Sequence, residues 1–384
     1  MVRPFLPFAR PDITDAEIDA VVHAMRSGWL TTGPNAAAFE KEFAEFLGGG
    51  RSAVAVNSAT SGLHLAYEAI GVRPDTEVLV PTWTFTATAE AVRYLGADPV
   101  LVDVDPVTLC IDLADAERRV TERTVAIAPV HYAGLAVPDA ALSAFAAAHH
   151  LTVVEDAAHA FPTLNEGTLV GAGDHAATVF SFYATKTMTT GEGGMVVTPD
   201  ADLAARMRTM RLHGINRDVF DRYTSSKPGW HYDVVAPGYK YNLTDTAAAM
   251  GRVQLRRTPE MVARRSAIAE AYDAAFGDLP VQRPARAPQG SSHAWHIYNL
   301  RLNADAPVSR DRFIELMAEA GVGTSVHFIP LHLHPYWRDT YHHTPEQFPV
   351  ASGEFARTVS LPIFSAMTDD DVAHVISAVC GILG

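Results

Sequence analysis

Lysine is scarce in this chain of 384 residues: Lys41, Lys186, Lys227 and Lys240 are the only four. Cysteine is scarcer still, and Cys110 and Cys380 supply neither a metal-ligand spacing nor a disulfide framework, so no metal site is expected. Cations are outnumbered, with 30 Lys and Arg against 44 Asp and Glu and a formal net charge of −14. A general nucleic-acid surface needs clustered Lys and Arg, and this balance argues against one. A small phosphate-bearing molecule stays allowed, because backbone N–H groups can hold an anion inside an acidic protein. No stretch approaches the roughly 18 apolar residues of a spanning helix. The opening Met1-Val-Arg-Pro-Phe-Leu-Pro-Phe8 is short and proline-broken for a secretory segment. The expectation is a soluble, cytoplasmic protein with no membrane or nucleic-acid partner. Gly-x-Gly-x-x-Gly and Gly-Lys-Ser/Thr strings are also missing, so neither a dinucleotide site nor a P-loop is indicated.

What is present is a regular alternation. Ser52–Val56, Glu77–Pro81, residues 99–104, 125–130, 151–155 and 177–182, and Gly194–Thr198 are short runs rich in Val, Ile and Ala. Helical patterns separate them, such as the stretch with Leu63, Tyr67 and Ile70 at helical spacing and the alanine-rich Ala87–Tyr94. Nearly continuous apolar strands alternating with helices belong to a sheet covered on both faces, which predicts a mostly parallel, doubly wound α/β core. Upstream, Asp15–Arg26 and residues 35–47 read as helices. Residues 214–232 read as a polar loop, mobile or contacting a partner. A long helical segment begins near Thr244, with a break expected at Pro259. Strand pieces and helices after it predict a smaller α+β domain, giving a large domain over 1–250 and a small one over 251–384.

Against this background one lysine is oddly placed. Lys186 ends Ala177-Thr-Val-Phe-Ser-Phe-Tyr-Ala-Thr-Lys186, just after a buried-looking strand and just before the Gly191-Glu-Gly-Gly194 turn. It is either an amine kept neutral enough to attack a carbonyl or a lysine snorkelling from the rim of the core. Asn57-Ser-Ala-Thr-Ser-Gly62 joins a strand to a helix, where exposed N–H groups and Thr60 suit an anion, or where the turn is simply capped. Glu155-Asp-Ala-Ala-His159 follows another strand. Its two acids point to opposite faces, so only one can serve a site at the strand end. Taken singly, Asp156 reads as a helix N-cap and His159 as a core-edge histidine. Pro81-Thr-Trp-Thr-Phe85 brings aromatics to a third strand end. Taken together, these supply an anion cradle, a stacking face, a carboxylate and an amine. Pyridoxal phosphate (PLP) needs these four for its phosphate, its ring face, its pyridine nitrogen and its aldehyde.

Over nearly its whole length the chain resembles the fold-type I sugar aminotransferases of the DegT/DnrJ/StrS family. The resemblance is carried by Ser27-Gly-Trp-Leu-Thr-Thr-Gly33, Asn57-Ser-Ala-Thr, Glu155-Asp-Ala-Ala-His, Ser181-Phe-Tyr-Ala-Thr-Lys, Gly191-Glu-Gly-Gly, Gly238-Tyr-Lys-Tyr-Asn-Leu-Thr-Asp245 and His327-Phe-Ile-Pro-Leu-His332. Within the family it looks most like the C4-aminating branch typified by UDP-4-amino-4-deoxy-L-arabinose–oxoglutarate aminotransferase. The resemblance implies that Lys186 bonds the aldehyde of PLP and moves the proton between Cα and C4′. It further implies that Asp156 pairs with the pyridine nitrogen, that His159 lies near the phenolic oxygen, and that Phe85, rather than Trp83, stacks on the ring. Ala59, Thr60 and Ser181 would hold the phosphate. Asn242 would reach the phosphate in a neighbouring subunit, making the active unit a homodimer with shared sites. His327 and His332 fall in a stretch lining the sugar-nucleotide site of relatives, and Lys240 is given no role. The implied substrates are a nucleotide-linked ketosugar and L-glutamate. The alternatives are a PLP-dependent sugar dehydratase and a non-catalytic regulatory member of the fold. Lysine rather than histidine at position 186 argues against the dehydratase.

Overall fold

A computed structural model describes residues 4–216 and 232–384. Lys227 and nearly all of the polar loop expected at 214–232 fall outside these residues. The strands in chain order are β1 (Ser52–Val56), β2 (Glu77–Pro81), β3 (Asp98–Val102), β4 (Thr124–Ile127), β5 (Thr152–Asp156), β6 (Leu164–Asn165), β7 (Thr168–Leu169), β8 (Ala177–Ser181), β9 (Gly194–Thr198), β10 (Val281–Gln282), β11 (Tyr298–Leu302) and β12 (Thr358–Leu361).

Seven of them form one sheet in the order β1-β9-β8-β5-β4-β2-β3. Only β9 runs against the rest, being antiparallel to both β1 and β8, while the other pairs are parallel. The side chains of β2 and β9 are buried throughout, as a sheet covered on both faces requires. One covering layer is aromatic: Phe43 packs within about 6 Å of the rings of Phe39, Phe161, Phe180 and Phe182. Truncating such a residue costs about 3–5 kcal/mol.

The helix Ala59–Ala69 is pressed hard onto the sheet. A Cβ at Gly62 would meet Val179 Cγ1 at 2.8 Å, and one at Gly194 would meet Phe180 O at 2.8 Å and Ala59 N at 2.9 Å. Those two glycines allow the helix N-terminus to sit against the end of β8. Ser58 caps it, accepting from Ser61 N.

A second apolar cluster surrounds the antiparallel sheet β10-β11-β12 and gathers Leu6, Ile268, Tyr272, Phe276, Tyr298 and Phe313. One helix of 31 residues, Asp245–Ala275, links the two clusters. It runs through Pro259 without the expected break. Proline costs the helix one hydrogen bond, but buried Thr258 and Met261 anchor the segment on either side. Packing outweighs the local preference. Among the described residues no helix is long and apolar enough to cross a membrane, and no cluster of His, Cys, Asp and Glu has the makings of a metal site.

Candidate active site

The carboxyl ends of the parallel strands converge on a cavity of about 440 Å³. Ser58, Ala59 and Thr60 enter it after β1, and Thr84 and Phe85 after β2. Asp156 comes from the end of β5, and Ser181, Tyr183, Thr185 and Lys186 from the end of β8. His159, Glu192, His296, His327 and Phe328 complete the walls. This is where open α/β sheets place ligands, because the helix N-termini and loop side chains all face that edge.

Lys186 is half-buried, and burial pulls its amine down to about 8 against the opposing attraction of Asp156, with Arg265 adding to the fall. An amine shifted in this way has a sizeable neutral fraction near neutral pH, which favours the nucleophile over the snorkelling lysine. Its Nζ lies 3.3 Å from His296 Nε2. Burial raises the Asp156 carboxyl, offset in part by two donors: Thr88 Oγ1 at 2.7 Å to Oδ2 and the Ala158 N–H at 3.1 Å to Oδ1. Each oxygen keeps a lone pair for a further partner.

His159 is buried and held well below the ordinary imidazole range, by burial first and by Lys186 second. Its Nδ1 accepts the Ala133 N–H at 3.3 Å. The neutral ring therefore carries its proton on Nε2. The ring stacks on Phe328, with centroids 5.6 Å apart.

The two aromatics after β2 part company. Trp83 is fully buried and donates its indole N–H to His327 O, whereas Phe85 is 59% exposed within the cavity wall. The N–H groups of Ala59 and Thr60 stand at the first two helical positions, ahead of any intrahelical acceptor.

Eight of the ten expected site residues thus share one cavity: Lys186, Asp156, His159, Phe85, Ala59, Thr60, Ser181 and His327. Two do not line it. Asn242 lies in an adjoining groove, where its Nδ2 donates to Thr32 Oγ1 and its Oδ1 accepts from Lys240. Glu192 borders both hollows. His332 is completely buried, its ring nitrogens taken by Thr82 and Ser352 hydroxyls and its face stacked on Phe348. It has no nitrogen left for a substrate, which corrects its expected place in a sugar-nucleotide site. The reason is local: His332 falls in a one-turn 3₁₀ segment, Leu331–Leu333, that turns inward against Thr82.

Reading the sequence missed His296, Thr88, Tyr183 and Phe328. The Thr84–Thr88 spacing of four was a usable signal, since the two hydroxyls sit 2.9 Å apart and lead to Asp156. His296 left no such trace, because its contact with Lys186 spans 110 positions.

The donor set fits PLP. Unpartnered helix N–H groups suit its phosphate, an exposed ring its face, a buried carboxylate its nitrogen and a depressed amine its aldehyde. A model of the DegT/DnrJ/EryC1/StrS aminotransferase family matches residues 11–380. SpsC of Bacillus subtilis, a spore coat polysaccharide biosynthesis protein, is 44% identical over 382 residues, covering 99% of this chain and 97% of its own. Spr1654 from Streptococcus pneumoniae superposes in its PMP-form with a TM-score of 0.91 at 31% identity, covering 98% of both chains. Its PLP-form gives 0.90 at 30% identity, covering 99% of this chain and all of that one. Helicobacter pylori PseC, an aminotransferase involved in the biosynthesis of pseudoaminic acid, gives 0.91 at 26% identity over 99% of both chains.

Proposed function

The chain belongs to the DegT/DnrJ/EryC1/StrS aminotransferase family, and from that premise we propose that it transfers an amino group from glutamate to the C4 carbonyl of a nucleotide-linked ketosugar, with PLP as cofactor. The observation that carries this reading is the meeting of Lys186 and Asp156 in one cavity with the N-terminus of the helix Ala59–Ala69. When bound, PLP supplies an electron sink that makes the Cα–H of an attached amine acidic.

The protein does the rest. Ala59 and Thr60 offer N–H groups, and Thr60 and Ser181 hydroxyls, to the phosphate. Asp156, fixed by Thr88 and Ala158, would pair with the pyridine nitrogen and keep it protonated. His159 would offer Nε2–H to the phenolic oxygen, and Phe85 would cover the ring face. Lys186 would hold the cofactor's aldehyde, and as a free amine its Nζ would take a proton from Cα and return it at C4′. The same Nζ would move the proton the other way for the ketosugar, and ping-pong kinetics are the expected outcome.

Asn242 lines the adjoining groove and not the cavity of its own chain, and this supports its use by a second subunit, making a homodimer the working form. Residues 1–250 would carry the cofactor groups, while the smaller part, 251–384, adds His296, His327 and Phe328. The C4 position, the nucleotide and the cytoplasmic setting belong to this proposal as well. Incubating purified protein with glutamate and a panel of nucleotide ketosugars, read by mass spectrometry, tests it. Replacement of a ketone by an amine is expected. Loss of water without consumption of glutamate would make the protein a dehydratase, and no turnover of either half-reaction would leave a binding protein.

A further inference from the structure

His296 is set beside the Lys186 amine by contacts that leave its ring little freedom. Its backbone N–H donates to Ala133 O at 2.9 Å. Arg265, buried in the long helix, donates from Nη1 to the carbonyls of Trp295 (3.0 Å), His296 (3.4 Å) and Ile363 (2.6 Å). The ring sits 4.4 Å from that of His159, and Nε2 lies 3.3 Å from Lys186 Nζ. The second ring nitrogen, Nδ1, is buried and has no partner in the protein.

That orphaned nitrogen decides which way the hydrogen bond runs. A neutral imidazole has one proton to place. If Lys186 were an ammonium donating to Nε2, the ring proton would have to sit on Nδ1, leaving a buried N–H with nothing to bond. Orphaned N–H groups are rarer and costlier than under-used acceptors. With the proton on Nε2 the ring donates to Nζ, and only an unprotonated amine has a lone pair to accept it. The charged ring is disfavoured as well: burial first, then Lys186, His159, Arg265 and His327, all push His296 well below the usual imidazole range.

We propose that His296 is a positioning residue whose Nε2–H donates to the free amine of Lys186 and enlarges the unprotonated fraction of that amine whenever it is not bonded to the cofactor. This rests on the reading of Lys186 as the reactive amine. The other groups facing Lys186 are Asp156, which favours the ammonium, Arg265, which opposes it, and His159 and His327, both held neutral. The donor from His296 tips the balance between Asp156 and Arg265 toward the form able to take a proton from Cα.

The test uses the full-length protein freed of cofactor. Trinitrobenzenesulfonate labels free amines, and mass spectrometry of the Lys186 peptide gives the labelling rate against pH. His296→Phe, which keeps a ring but has no donor, is expected to raise the midpoint by about one unit, slowing labelling at pH 7 about tenfold. His296→Gln, whose amide nitrogen donates from nearly the same place, restores most of the rate. A merely space-filling His296 predicts the opposite sign for Phe, because a drier neighbour lowers an amine's proton affinity. An unchanged or lowered midpoint in the Phe variant, or no rescue by Gln, overturns the proposal. Should the Phe variant fail to fold, neutron diffraction of the wild-type protein decides: a deuteron on Nε2 facing Nζ supports it, and one on Nδ1 rejects it. Absence of aminotransfer with an intact labelling result would count against the functional reading and not against this role for His296.

Discussion

Two carboxylates leave the end of β5 on opposite faces, and their surroundings could hardly differ more. Glu155 is saturated. Its Oε1 meets His131 Nε2 at 3.0 Å and His175 Nδ1 at 3.2 Å, while Oε2 accepts from Thr178 at 2.5 Å. Burial would raise its carboxyl, but the bonds to His131 and His175 more than offset this and hold it below the usual range. Asp156 lies one residue on, has only Thr88 and Ala158, and stays raised by burial. One acid is completed by the protein itself; the other is left able to accept another partner at the cavity wall. Adjacent residues of the same charge thus divide between holding the fold and serving the site.

Substitutions should separate these two roles. The largest effect lies on the cavity side: Lys186→Ala is expected to cut aminotransfer by about 10⁴-fold or more, seen in initial rates with glutamate, while leaving the thermal transition cooperative. Asp156→Ala should come next, lowering turnover by about 10²–10³-fold with a modest change in melting temperature. Glu155→Ala should show the reverse pattern. Stripping the acid from a buried pair costs about 3–5 kcal/mol, so denaturant midpoints fall sharply while the remaining folded fraction keeps its cofactor absorbance.

The pH dependence of the Glu155 contribution follows from the direction of its shift. A carboxyl held low in the folded state stabilises fully above its unfolded value near 4.5 and loses that contribution as pH falls below it. Melting curves of wild type and Glu155→Ala should therefore converge in acid. A smaller effect is expected from Thr88→Val, which removes one donor from Asp156 and should cost about tenfold in turnover, or about 1.4 kcal/mol.

A further effect concerns Lys186 and stability. Its folded amine titrates at about 8 against 10.5 when free, so burying the ammonium destabilises the cofactor-free fold below pH 8. That penalty fades between pH 8 and 10.5. Lys186→Met should accordingly be the more stable protein at pH 7 and lose its advantage as pH rises through this window.

The same contrast between closed and open surroundings explains which parts could be read from the chain. The strands Ser52–Val56, Glu77–Pro81 and Gly194–Thr198 emerge at their expected limits, because β-branched runs bounded by turn residues have few other uses. The opposite facing of Glu155 and Asp156 follows from strand alternation alone. Pro259 misled because a local rule met a helix packed along most of its length. His332 misled for the converse reason: five positions after the cavity-lining His327, the chain has already turned into the core. His296 and Arg265 were invisible because their importance lies wholly in tertiary neighbours, Lys186 for one and three carbonyls for the other.

With four lysines in the chain, the central claim can be tested almost residue by residue. Purified protein loaded with PLP is treated with borohydride, digested and mapped by mass spectrometry. The account predicts the reduced cofactor mass on the peptide containing Lys186 and on no other lysine, with the visible absorbance lost in step. Cofactor trapped on Lys41, Lys227 or Lys240 instead, or no trapped cofactor at all, would contradict it.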